Sequence, residues 1–123
     1  MINSLAIGKL VYNRVSDLVG NRCYPIVAEN GSNFPFIVYS RDSVEPSFCK
    51  DGHYEDEVTV TIKVVHATYN GSVELAQSVR ERMTFNNLTY EGCTYTSELI
   101  NADESYEGEV YVQTLLFKTN INN

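Results

Sequence analysis

Cys49 and His53 stand four residues apart in a segment that also holds Pro46, Asp51 and Gly52. A thiolate beside an imidazole is the pairing used both by nucleophilic catalysis and by metal ligation. Neither chemistry is complete at that spacing alone. A metal needs further ligands, and a nucleophile needs an orienting third group and an oxyanion hole. The segment Asp42 to His53 is therefore read as a surface loop. The alternative is a small α+β enzyme or ligand-binding domain using the Cys49 and His53 loop. His66, at the end of an alternating run, is read as a hydrogen-bonded strand-end residue and not a catalytic base.

Two carboxylate clusters invite the same question: Glu55, Asp56 and Glu57 before a strand, and Asp103, Glu104, Glu107 and Glu109 in a turn. Paired acids can carry glycoside or metal chemistry. Neither cluster has the ordered ligand spacing of a calcium loop, and charge at strand ends commonly opposes edge-to-edge strand pairing. Solvated charge is the favoured reading. No glycine-rich phosphate loop, GxSxG elbow or HExxH pair is present in the sequence. The expectation is a non-enzyme with no catalytic, cofactor-binding or metal-binding residues.

The elements that would position any site follow from length and pattern. A chain of 123 residues fits one domain with a core that needs no staples, and 43% hydrophobic and 20% charged residues are an ordinary globular balance. Nine Lys and Arg against sixteen Asp and Glu give a formal charge of -7, so the average surface repels phosphate backbones and no direct nucleic-acid contact is expected. Three cysteines at wide spacing suit reduced thiols in a cytoplasm. Lys9, Arg14 and Asp17 interrupt the first twenty residues, which speaks against a signal peptide or a membrane span there.

Ile7, Leu10, Val11, Val15 and Leu18 recur at helical spacing, with Ser4 as N-cap and Gly20 as stop. Arg22 to Ala28 is a short extended piece in which Pro25 suits an edge strand. Phe34 to Arg41 predicts a strand, and Val58, Val60, Ile62 and Val64 alternate with Thr59, Thr61 and Lys63 in the clearest one. A second helix, capped by Asn70 or Ser72, gathers Val73, Ala76, Val79 and Met83 on one side, with Arg80 and Arg82 in its last turn. After turn residues Asn86, Asn87 and Gly92, two strands follow, Cys93 to Asn101 and Glu109 to Ile121, joined by an acidic turn. The expected fold is α+β, an antiparallel β-sheet with two α-helices packed on one face, in the order αβββαββ.

Along the last strand Val110 and Val112 fall on one face, and Tyr111, Leu115 and Phe117 on the other. Two helices cover a single face, so either a neighbouring subunit covers part of the second or the strand twists both halves toward one core. Nine tyrosines, a residue at home in interfaces and in ordinary strands alike, favour association mildly. Glu45, Phe48, Tyr54, Tyr106, Tyr111, Leu115 and Phe117 are the candidate subunit contacts.

The order of elements, with several short strings, resembles the small tail-completion or head-tail joining proteins of tailed bacteriophages and prophages. Arg22-Cys23-Tyr24-Pro25 is similar to that family's Arg-apolar-Tyr-Pro string after the first helix. Pro35-Phe36-Ile37-Val38-Tyr39 is similar to its Pro-aromatic-aliphatic-aliphatic-Tyr strand. Val60 to Val64 then leads through Ala67-Thr68-Tyr69 into the helix of Leu75-Ala76 and Val79-Arg80, and the chain closes with a Tyr-containing turn and the Val110 to Phe117 strand. The resemblance spans nearly the whole chain and departs in the loop that contains Cys49. It implies a non-enzymatic structural protein of the virion, assembled in the bacterial host cytoplasm. It would act as a ring homo-oligomer such as a hexamer, with phage head-connector or tail-tube proteins as partners and no membrane.

Overall fold

The computed structural model describes residues 3–48 and 54–122. The alternation of Val58, Val60, Ile62 and Val64 is realised in the third strand, β3 (Tyr54–His66), where all four are at most 1% exposed. Around it the chain runs from a 3-10 turn (Ser4–Ala6) into α1 (Ile7–Val15), a second 3-10 turn (Ser16–Val19), β1 (Cys23–Pro25) and β2 (Phe36–Phe48). After β3 come α2 (Tyr69–Arg82), β4 (Phe85–Tyr90), β5 (Cys93–Glu107) and β6 (Val110–Asn122). These strands form one six-stranded sheet in the order β1-β2-β3-β6-β5-β4.

The expected antiparallel sheet in the order αβββαββ is corrected on two counts. The sheet is mixed, because β1 pairs with β2 in parallel through Cys23 to Ile37 and Pro25 to Tyr39. Chain leaving β1 at Ile26 travels back along the sheet before Phe36, so both strands run the same way. Pro25 occupies the edge strand, where its missing N–H costs no ladder bond. The second correction is β4, a strand in place of the expected turn at Asn86 and Asn87. Asn87 takes a φ of 57° at a register shift between Phe85 and Leu88, a conformation asparagine tolerates, so turn-forming residues sit inside a bulged strand.

Two strands outrun their expected ends for similar reasons. β2 continues through Asp42, the extra residue at a register shift between Arg41 and Ser43; its carboxylate accepts hydrogen bonds from Ser40 Oγ, at 3.3 Å, and from Thr61 Oγ1. The expected loop from Asp42 is therefore strand as far as Phe48, and residues 49–53 lie outside the described residues. β5 continues through a shift at Ile100 to Glu107, so most of the acidic turn is strand. The β4–β5 and β5–β6 reversals are two-residue loops, Glu91-Gly92 and Gly108-Glu109, each with both φ angles positive, which matches the twist of antiparallel neighbours.

Register shows which face is buried. Ile62 pairs with Tyr39 on one side and Leu115 on the other, and Val60 with Phe117. Helix α1 rests over Tyr39, where an added Cβ on Gly8 would be 3.0 Å from the ring, and α2 brings Ala76 and Val79 down beside Leu115 and Met83. Both helices therefore cover the face that carries Tyr111, Leu115 and Phe117. The opposite face carries Ser40, Thr59, Thr61, Thr114 and Lys118, side chains suited to a wet sheet surface. Apolar residues on it include Val38, Leu116 and a row in which Phe36, Val65 and Val112 are cross-strand partners, the two valines being 8% and 7% exposed within this chain.

Helix ends depart from the expected caps. Ser4 opens the 3-10 turn and caps nothing with its side chain, whereas Gly20, at φ 57°, closes the second 3-10 turn as a left-handed residue. The N-cap of α2 is Thr68, whose Oγ1 accepts from the Gly71 N–H at 3.1 Å, and not Asn70 or Ser72.

Candidate interaction surfaces

The long strands make two hairpins that end at opposite ends of the sheet, since β3 and β6 are antiparallel with Glu55 opposite Asn122 and His66 opposite Tyr111. One end holds Phe48 and Tyr54, the last described pair of the β2–β3 hairpin, in an edge-to-face contact at 4.5 Å. Phe48 is 75% exposed there. Glu45 lies on the wet face beside Glu57, its register partner, and is exposed.

At the other end Tyr106, 60% exposed, packs on Tyr111 at 4.8 Å, and Tyr111 meets the ring of Tyr69 at 5.8 Å. Glu104 ties this tip to α2: its carboxylate accepts from Tyr69 Oη at 3.0 and 3.2 Å and from Gln113 Nε2 at 2.9 Å. Gln113 Nε2 reaches Ser72 Oγ at 3.2 Å, so the tip is anchored at the start of the helix. The carboxylate beside the Tyr69 phenol raises that phenol's pKa, because the neutral form donates the hydrogen bond and the anion would face like charge. Asp103, Glu107 and Glu109 project into solvent around it.

Leu115 and Phe117, proposed from the sequence as contacts, are 5% and 0% exposed beneath the two helices and offer no surface to a neighbour. The physical reason is parity. They share the odd-numbered face of β6 with Ile121, and that is the helix-covered face. Tyr111 sits on that same face against Tyr69, at the first residue of α2, and is half-buried. Cys49 and His53 lie outside the described residues.

Asp56 corrects the reading of the first acidic cluster as solvated. It continues the buried row of β3, is 8% exposed, and accepts from Ser4 Oγ at 2.5 Å, while its second oxygen has no hydrogen-bond partner among the described residues. Glu57 pairs loosely with Lys118 at 3.4 Å on the opposite face. His66 is indeed a strand-end residue: its Nδ1 accepts from the Thr68 N–H at 3.1 Å and helps set the α2 entry. Cys23 is buried, and desolvation pushes its thiol up to about 12, away from nucleophilic use. Among the described residues no group of three or more His, Cys, Asp or Glu side chains is placed to hold a metal ion, and no helix is long and apolar enough to cross a membrane.

One surface escaped sequence reasoning. Leu5, Pro25, Ile26, Tyr39 and Arg41 line an apolar groove of about 240 Å³ beside the β1 edge. Its signal was present only as apolar residues off the helical stripe, Leu5 before α1 and Ile26-Val27 after Pro25.

No protein-family model matches this chain, and no curated protein sequence matches it. Its fold is similar to that of a chain in the solved virion of a native gene transfer agent (GTA) particle, with a TM-score of 0.75 at 14% sequence identity over 92% of this chain and 92% of that one.

Proposed function

We propose that this chain is a structural protein of a phage or phage-like virion that completes the tail or joins it to the head, as one subunit of a ring. The observation that carries the reading is the fold shared, end to end, with a chain of a gene transfer agent virion particle. The sequence strings Arg22 to Pro25 and Pro35 to Tyr39 support the same class independently of that likeness.

In this reading the role is geometric and not enzymatic. A subunit that contacts different neighbours with different surfaces closes a ring when its rotation divides a full turn, and a hexamer is one such closure. The strands make the subunit long: thirteen residues of β3 span about 43 Å. Phe48 and Tyr54 with Glu45 at one end, and Tyr106 and Tyr111 at the other, then serve two different contacts. One is the head-connector protein or the tail tube, and the other is the next copy. Exposed aromatic side chains fit this use, since they bury large area at little entropy cost. No direct nucleic-acid contact and no membrane enter the proposal, and assembly takes place in the bacterial host cytoplasm.

Deleting the gene in its host and imaging the particles tests this. The expected result is filled heads and tails that fail to join, or tails of irregular length, with joining restored by the gene in trans. Normal joined particles from the deletion strain, or purified particles lacking the chain by mass spectrometry, would overturn it.

A further inference from the structure

Ile26 has a φ of 67°, the left-handed region that a β-branched residue occupies only against strain, and its side chain is 79% exposed. Glycine or asparagine would hold that backbone more easily and would show water no sec-butyl group. The conformation is pinned by the Ile26 N–H, which donates to Tyr39 O at 2.8 Å. Val27 follows at 73% exposed, and Leu5, across the groove, is 71% exposed. Three large apolar side chains exposed at one edge mark a surface that something covers. A groove of about 240 Å³ is below the usual size of a small-molecule pocket and suits an inserted side chain.

Charge says what covers it. Beside the groove, Arg22 and Arg41 stand against Glu29 within residues 22–41, and Lys9 is exposed on α1. From Thr84 to Phe117 there is no Lys or Arg, and Glu91, Glu98, Asp103, Glu104, Glu107 and Glu109 are all acidic. In the strand order β1 and β2 stand apart from β5 and β4, so the groove and the acidic segment belong to different strands. At the acidic side the β5–β6 tip carries Tyr106 among its carboxylates, and at the other the groove carries Arg41 on its wall and Lys9 one residue beyond Gly8 of that wall.

We infer that the groove of Leu5, Ile26 and Arg41 receives the β5–β6 hairpin tip of a second copy of this chain, Tyr106 against the apolar wall and its acidic neighbours facing Arg41 and Lys9. The contact rests on the ring reading above and supplies its subunit interface. A copy's own tip is held at the start of α2 by Tyr69 and Glu104, away from the groove walled by α1 and β2. Groove and tip differ, so every copy offers one of each, and repetition gives a head-to-tail series that closes into a ring or runs on. Opposite charge steers the encounter, and salt weakens it.

Sedimentation velocity of the full chain tests the contact, in about 30 mM and about 500 mM salt and up to about 0.5 mM protein. The expected result is concentration-dependent self-association that weakens with salt. Ile26→Gly keeps the positive φ while removing the side chain, and Glu107→Lys reverses one exposed charge at the tip. Each is expected to weaken association about tenfold while leaving the far-UV circular dichroism unchanged. A chain monomeric at every concentration and salt, or an association untouched by either variant, overturns the inference. A monomeric chain still present in purified particles overturns this contact and leaves the virion role standing. Self-association through the groove by a chain absent from particles does the reverse.

Discussion

Arg14 and Arg82 exchange hydrogen bonds where the two helices end: Arg14 Nε donates to Arg82 O at 2.8 Å, and Arg82 Nη1 donates to Arg14 O at 3.0 Å. Each arginine occupies the last turn of its own helix and caps a carbonyl that the other helix leaves without an intrahelical partner. Arg14 also lies over the ring of Phe85, 5.1 Å from its centroid, which ties the start of β4 to the junction. Arg14→Ala is expected to lower unfolding free energy by about 1–2 kcal/mol in urea titration. Arg14→Lys should recover little of it, because lysine lacks the planar fork. A full recovery by lysine would mean that charge alone matters there.

Asp17 completes the junction as a bidentate partner of Arg82, at 2.8 and 3.2 Å. The guanidinium hydrogen bond, with its charge, holds the Asp17 carboxyl below its ordinary 3.8. A folded-state value depressed below the unfolded one adds stability above the unfolded pKa, and that stability is lost as pH falls through the folded value. The melting temperature of wild type should therefore exceed that of Asp17→Asn at about pH 6, and the gap should close below about pH 4. Both side chains are well exposed, so about 1 M salt should narrow the gap as well. A gap constant down to about pH 2 contradicts the assignment.

Gly71 is the position where an alanine should harm a helix. In an ordinary first turn alanine is favoured over glycine by about 1 kcal/mol. Here a Cβ would stand 2.4 Å from His66 Cε1 and 2.6 Å from Thr68 Oγ1, the two groups that form the helix entry. Gly71→Ala is expected to destabilise in spite of its propensity, and Thr68→Ala to cost about 1 kcal/mol through loss of the cap. His66→Ala in the Gly71→Ala background should recover part of the loss. Urea midpoints of the single and double variants measure the coupling, and strictly additive effects would refute the crowding.

What the sequence disclosed was whatever depends on period. Val58 to Val64 and Ile7 to Val15 each repeat a single face strongly enough to show the strand, the helix and the side that is buried. The sheet's parallel edge was hidden because pairing direction depends on where the loop after Ile26 returns, and no local pattern encodes that. β4 was hidden by Asn86-Asn87, and the long reach of β2 by Asp42, since polar residues absorbed in bulges look like turns from sequence. The interaction surfaces were half visible. Aromatic residues at hairpin ends could be picked out, but telling Tyr106 from Phe117, which lie on the same side of the sheet, required knowing how far along the strands the helices reach.

Phe117 and Phe48 turn that difference in cover into measurement. Phe117 is fully enclosed in the core, paired in register with Val60 and Leu99, whereas Phe48 meets the Tyr54 ring and is 75% exposed. Phe117→Ala removes a buried ring and leaves a cavity that the flanking strands cannot close, at a cost of about 3–5 kcal/mol. Phe48→Ala removes a ring already in water and should change unfolding free energy by no more than about 0.5 kcal/mol. Loss of association in Phe117→Ala would then follow from loss of fold and disappear once the fold is restored by compensating core substitutions. Loss of association in Phe48→Ala with an unchanged urea midpoint would instead identify a contact. If Phe48→Ala were the more destabilising of the two, the β2–β3 end would be part of the core and its use as a docking surface would fail.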